Sequence, residues 1–275
     1  MVSHNWSKFD LVTLLVLGAV CVSLISLLWN RWYFYRQKRL VLAKSKGSVL
    51  LGVDAKSGEK IYLREEFRTS HTQVIGTTNA GKTASVILPW AVQDIQQGRG
   101  LIIIDGKADK SFLETLYAHA LANNRESDFM VFSLASTEVS KTFNPFVFGS
   151  PQQIAERVFA AFEITDPYYG SVQFSIFKTV IELLVHRGEV PTPSMVRSLL
   201  RDQELLSRVA SDVESPSLAT DIQKITSLKS DEYEKRTSGL VAALDHFSSG
   251  GPAKLFNTLN SEINLLDVVL NRRIC

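Results

Sequence analysis

Apolar positions along the chain fall into three successive patterns. The first is unbroken: residues 11–29 (LVTLLVLGAVCVSLISLLW) carry no charge, and about 20 such residues are what a helix needs to cross a bilayer. The second alternates short apolar runs with amphipathic stretches. Val49-Leu50-Leu51-Gly52-Val53 and Lys60-Ile61-Tyr62-Leu63 flank the polar Asp54-Ala55-Lys56-Ser57-Gly58, which predicts a β-hairpin. Thr72-Gln73-Val74-Ile75 reads as a short buried strand, followed by a helix from Thr83 to near Gln97-Gly98. Leu101-Ile102-Ile103-Ile104 is a continuous apolar run, as expected of a strand buried on both faces. A helix over 110–123 gathers Phe112, Leu113, Leu116 and Ala120 on one face, and Phe129-Met130-Val131-Phe132-Ser133-Leu134 is the next strand. Strands alternating with helices of this length predict an α/β parallel sheet with helical covers. The third pattern, from Pro151 to about Gly250, has no strand signal. It predicts helices at roughly 152–162, 171–187, 192–200, 205–212 and 217–247, the last with room for a break.

The flanks of the first pattern decide its meaning. Trp29, Trp32, Tyr33, Phe34 and Tyr35 form an aromatic belt at its C-terminal edge, and Arg31, Arg36, Lys38, Arg39, Lys44 and Lys46 follow with no acidic residue among positions 30–46. The N-terminal side offers only Lys8, offset by Asp10. The positive-inside rule places the N-terminus outside and everything after residue 30 in the cytoplasm. A cleaved signal peptide would have a shorter apolar core and its positive charges ahead of it. Setting those six basic residues, Lys8 and Asp10 aside leaves 23 basic residues against 27 acidic. The basic cluster is therefore a topology signal that also touches anionic lipid, and the remainder has no basic excess arguing for nucleic acid. Cys21 and Cys275 offer no plausible disulfide or metal cluster.

The candidate chemistry lies in the second pattern. Gly76, Thr77, Thr78, Asn79, Ala80, Gly81, Lys82 and Thr83 match G-x-x-x-x-G-K-[ST] at every fixed position. A strand before and a helix after are the context this motif requires. Backbone N–H groups curl around phosphate while the helix dipole adds partial positive charge. Gly76 and Gly81 permit close backbone approach; Lys82 is expected on the β- and γ-phosphates and Thr83 on Mg²⁺. The residues thus predict an ATP- and Mg²⁺-binding protein. Asp105, closing the run 101–104, has the outline of a Walker B acid that would hold the metal. In RecA-like P-loop ATPases, however, the first strand after the P-loop helix is separated from the P-loop strand by another and lies too far from the γ-phosphate. Asp105-Gly106-Lys107 as a turn at the C-terminal edge of the sheet is the competing reading.

Taken in order, the basic membrane exit, the hairpin with Gly52-Val53-Asp54 and Gly58-Glu59, the P-loop, Ile104-Asp105-Gly106-Lys107-Ala108-Asp109 and Phe143-Asn144-Pro145-Phe146 resemble the N-terminal part of the conjugative coupling proteins of the TraG/TraD type. The resemblance is specific over about residues 45–150 and architectural beyond. Gly106 and Ala108 stand where the family pattern D-P-K-G-[DE] has proline and glycine. The resemblance implies a bacterial inner-membrane location, a RecA-like motor domain interrupted by an all-α insertion, and a homo-hexameric ring. It also implies delivery of single-stranded DNA or protein effectors to a type IV secretion or conjugation channel, with secretion-channel or relaxosome proteins as partners. Members usually have two membrane helices, and this chain shows one. No Asp-Glu pair follows an apolar strand after residue 150; Asp231-Glu232 sits in a polar helical context. The expectation is a chain shortened before its Walker B strand and its polar sensor, with ATP hydrolysis left open.

The implied organisation is a periplasmic N-terminus and transmembrane helix over 1–30, a basic juxtamembrane segment over 31–46, the N-terminal half of the nucleotide-binding domain over 47–150, an all-α domain over 151–250, and a return toward the nucleotide-binding domain over 251–275. A non-hydrolysing membrane adaptor is the rival from another class. An FtsK/HerA-like DNA translocase shares the P-loop but lacks support from the hairpin and the F-N-P element. His119 and His186 read as surface or cap residues, Pro167-Tyr168-Tyr169 as a packed turn rather than a base-stacking platform, and Arg272-Arg273 as solvated rather than an arginine finger.

Overall fold

The computed structural model describes residues 8–42, 47–164 and 166–275. Lys44 and Lys46 of the basic cluster lie outside the described residues. Contacts divide the chain into two units, Met1–Gly98 and Arg99–Cys275.

The first unit opens with helix α1 (Lys8–Leu42). Within it Thr13–Tyr33 is long and apolar enough to cross a membrane. Trp29 and Trp32 meet in a tilted contact with ring centroids 5.6 Å apart, and the Arg36 guanidinium lies 5.3 Å over the Trp32 ring, a cation–π contact at the polar edge of the apolar stretch. The expected hairpin is present: β1 (Val49–Val53) pairs antiparallel with β2 (Lys60–Leu63). Its register slips between Leu50 and Gly52. At this bulge the Gln93 side chain takes the place of a strand neighbour, accepting from the Leu50 amide at 2.7 Å and donating to the Leu50 carbonyl at 3.2 Å. Gln93 belongs to α2 (Leu88–Gln96), which follows a π turn over Thr83–Ile87. Arg68 grips the buried Asp94 of α2 through two hydrogen bonds of 2.6 Å. Those bonds raise the Arg68 pKa above its ordinary value and supply the planar two-point geometry that strengthens such pairs.

In the second unit α3 (Lys110–Ala122) buries Phe112, Leu116 and Ala120, three of the four residues expected on its inner face. The helices α4 (Pro151–Phe159), α5 (Pro167–His186), α6 (Pro193–Arg201), α7 (Gln203–Val209), α8 (Pro216–Thr226) and α9 (Ser230–Ser248) form an all-α body, as the third pattern predicts. The break in the last long helix falls between α8 and α9, where Gln203 donates to the Thr226 and Leu228 carbonyls at 2.9 and 2.8 Å. Proline at the first helical position starts α4, α6 and α8, where its missing N–H costs nothing. Ser150 and Gln153 form a capping box on α4. Helix α5 is the axis of the core: Ile176, Phe177, Val180, Ile181, Leu183 and Leu184 are all buried. Short helices α10 (Ala253–Phe256) and α11 (Leu265–Leu270) complete the unit.

The expected parallel sheet is not formed among the described residues. Among the described residues the only sheet is the hairpin, and 72–75, 101–104 and 129–134 form no strand. Parallel pairing survives as isolated bridges from Ile274 to Leu101 and to Phe129. The Leu101 amide donates to the Arg273 carbonyl at 2.9 Å, Ile103 to Cys275 at 2.8 Å, and Met130 to Ile274 at 2.8 Å. Residues 273–275 therefore lie between the two apolar runs. A ladder needs successive hydrogen-bonded pairs, and the runs gain too few here. Ile75 and Ile104 are correspondingly exposed, at 84% and 94%.

The chain enters and leaves the all-α body at one place. Phe143 donates to Leu255 O at 2.9 Å and Ile263 to Thr142 O at 3.0 Å. Glu262 accepts from Lys141 Nζ at 2.8 Å and from the Thr142 amide at 2.9 Å. The Lys141 hydrogen bond, with that amide, holds the Glu262 carboxyl below the usual glutamate range. A lowered folded pKa stabilises the fold above the unfolded value of about 4.3 and is lost as pH falls through the folded one. Glu262→Gln should accordingly melt below the parent chain at neutral pH, with the difference vanishing in thermal melts taken at progressively more acid pH. A constant difference at every pH would refute this.

Candidate functional site

The phosphate-binding pattern forms a compact turn in the first unit. Asn79 has φ 63° and Gly81 φ 75°, left-handed angles that asparagine tolerates and glycine adopts freely. The Ala80 amide closes the turn on Thr77 O at 3.2 Å, and Ser85 N donates to Gly81 O at 2.7 Å as the helix begins. Lys82 Nζ donates to the carbonyls of Gly76 at 2.8 Å and Thr77 at 2.7 Å. Its ammonium is thereby curled across the loop it is expected to serve. A Cβ at Gly76 would lie 3.3 Å from both Cγ and Cδ of Lys82. The first glycine therefore makes room for the lysine stem. Thr83 is exposed at the start of the π turn. An exposed loop with a cation over it, a stem cradled against glycine and a hydroxyl beside it fits a Mg²⁺-polyphosphate.

Asp105 lies in the second unit and is built into its own turn. One carboxylate oxygen accepts from the Lys107 amide at 3.0 Å, the other from the Asp109 amide at 2.7 Å. These bonds, Asp109 first, hold its pKa below the usual aspartate range. Asp109 in turn caps α3, accepting from Ser111 and Phe112. The turn between them puts Ala108 at φ 52°, and this is where the family pattern has glycine. Left-handed geometry costs a residue with a Cβ about 1–2 kcal/mol, partly offset by the greater freedom glycine loses on folding. Ala108→Gly should raise unfolding stability by about 0.5–1 kcal/mol in urea titrations; a loss of stability would contradict the strain argument.

The remaining singled-out residues take structural places. His119 lies in the last turn of α3, its carbonyl accepting from Asn123, and His186 is exposed in the last turn of α5. Tyr169 has Lys235 Nζ 5.6 Å over its ring. Glu232 pairs with Arg236 within α9. Arg273 pairs with Asp267, while the Arg272 carbonyl accepts from Arg125. Arg125 and Gln93 carry structural roles that no motif signals, since each acts on a partner distant in the chain rather than within a pattern.

The chain belongs to a family of DNA-transfer proteins of secretion systems: the family model described as type IV secretory system conjugative DNA transfer matches residues 34–178, more than half of the chain. Among individual proteins, it is similar to the type 4 coupling protein DotL of Legionella pneumophila, with 24% identity over 277 aligned residues. That alignment takes in 84% of this chain and 35% of the relative, so the chain spans about a third of the relative's length. No solved structure matches.

Proposed function

We propose that this chain is a membrane-anchored ATP-binding component of a type IV secretion or conjugation apparatus. ATP and Mg²⁺ are held by residues 76–83, with Lys82 on the phosphates and Thr83 on the metal. The observation that carries the reading is the Lys82 ammonium lying over the loop carbonyls beside a glycine that accommodates its stem. Bound Mg²⁺ would supply charge neutralisation at the phosphates. The loop residues bind and orient. The family supports delivery of single-stranded DNA or protein substrates to a channel, a RecA-like parallel sheet with the all-α body as its insertion, a hexameric ring, and secretion-channel or relaxosome partners. The apolar stretch Thr13–Tyr33 and the basic residues after it support a single pass through the bacterial inner membrane with the nucleotide site in the cytoplasm.

A second reading, a nucleotide-binding adaptor that does not hydrolyse, is favoured by one observation. Both Asp105 carboxylate oxygens are spent on backbone amides of their own turn, which suits a structural acid better than a metal-holding one. Affinity for ATP and steady-state phosphate release, measured on the full chain in nanodiscs, separate the cases. Binding with turnover identifies a motor; binding without it identifies an adaptor; no binding refutes the proposal.

A further inference from the structure

Pro89 lies outside the phosphate-binding pattern, yet it governs the helix that the pattern opens. In an uninterrupted α-helix the amide of residue 89 would donate to the Ser85 carbonyl. Proline has no amide hydrogen, and its ring collides with the carbonyl four residues before it. The helix widens instead. Thr83–Ile87 forms a π turn, closed by the Leu88 amide donating to the Thr83 carbonyl, and α register resumes at Leu88. One extra residue is thus lodged between Thr83 and α2, just where the phosphate-binding residues end. Single π turns inside helices are rare and concentrate at functional sites.

Helix α2 is not free to shift and absorb this distortion. The Gln93 side chain is bound to both backbone groups of Leu50 and donates to the Pro89 carbonyl at 3.0 Å. Arg68 holds Asp94 with two bonds of 2.6 Å, and Gln97 donates to Ser48 O at 3.3 Å. The hairpin and the segment behind it therefore fasten α2 along its length. Any change of register at the π turn must be taken up on its other side, at Lys82 and Thr83. One residue of an α-helix corresponds to a rotation of about 100°.

We infer that Pro89 is a positioning residue for the phosphate site: by forcing the π turn against a fastened helix it sets the angle at which Lys82 and Thr83 face the loop, and so the affinity for a Mg²⁺-nucleotide. This rests on the nucleotide-binding function proposed above. The test compares the parent chain, Lys82→Ala and Pro89→Ala, all full length in nanodiscs, by fluorescent Mg²⁺-ATP titration and thermal unfolding. Pro89→Ala should melt at or above the parent temperature, because a proline no longer interrupts the helix. It should nevertheless bind Mg²⁺-ATP about tenfold more weakly, with the deficit shrinking when EDTA removes the metal that Thr83 serves. Stability and affinity moving in opposite directions is a signature that a merely structural residue would not give. Parent-like affinity in Pro89→Ala, with binding lost in Lys82→Ala, overturns this inference alone, as does a parallel fall in melting temperature and affinity. A parent chain that binds no nucleotide overturns the inference and the function together.

Discussion

Replacing Lys82 with alanine should weaken ATP binding by about 100-fold, equivalent to about 2.7 kcal/mol, while leaving the fold intact. The ammonium is the only cation within residues 76–83. Its hydrogen bonds to the carbonyls of Gly76 and Thr77 place its charge over the loop. Charge-assisted hydrogen bonds are worth about 1.5–3 kcal/mol each, against about 1 for neutral ones. Truncation gives up the stronger kind with the ligand and only exposed contacts to its own backbone, so the melting temperature should barely move. Lys82→Arg should recover little, since a planar guanidinium does not replace a compact ammonium as a point charge on phosphate. Isothermal titration with ATP checks this. Affinity unchanged in Lys82→Ala would remove the phosphate-binding role from this loop.

Asn144→Ala should destabilise the second unit by about 3–5 kcal/mol, the largest stability effect expected of a single exchange here. Asn144 is 1% exposed. Its amide donates to the Pro191 carbonyl at 2.9 Å and the Thr258 carbonyl at 2.8 Å, and its side-chain oxygen accepts from the Phe146 amide at 2.9 Å. Three distant points of the chain are thus tied through one side chain where the all-α body begins and ends. Alanine leaves those backbone groups without their partner, and each such loss costs about 1–3 kcal/mol. Against a typical total of about 5–15 kcal/mol this is a large fraction. Asn144→Asp should be no better, because a carboxylate would face two carbonyls. Urea unfolding checks the magnitude; a loss below about 1 kcal/mol would mean the Asn144 amide is not the tie described.

Pattern and periodicity carry the helical parts of this protein well. Helix α5 is legible because apolar residues surround it, and the starts of α4 and α6 because proline and a capping residue stand together. The hairpin is legible because Asp54 and Gly58 supply a local turn, with Gly58 at φ 72° and Asp54 accepting from Lys56 and Ser57. The turn over residues 76–83 is legible as a motif, since its geometry comes from eight consecutive residues. Pro89 is equally visible in the sequence, but helical periodicity runs straight through it and conceals the π turn.

The sequence by itself determined the long apolar helix, the hairpin, the tight turn over residues 76–83 and the succession of helices from residue 151, because each depends on neighbours within a few positions. Only the tertiary structure decided what depends on distant partners. It set residues 273–275 between the runs at 101–104 and 129–134 and left those runs short of a sheet, since a strand exists only where another backbone pairs with it. It turned Asn144 from one letter of a motif into the knot of the all-α body, through carbonyls 47 and 114 residues away. It also gave both oxygens of Asp105 to a turn, a role that an apolar run ending in an acid does not reveal, because what an acid does depends on which donors reach it first.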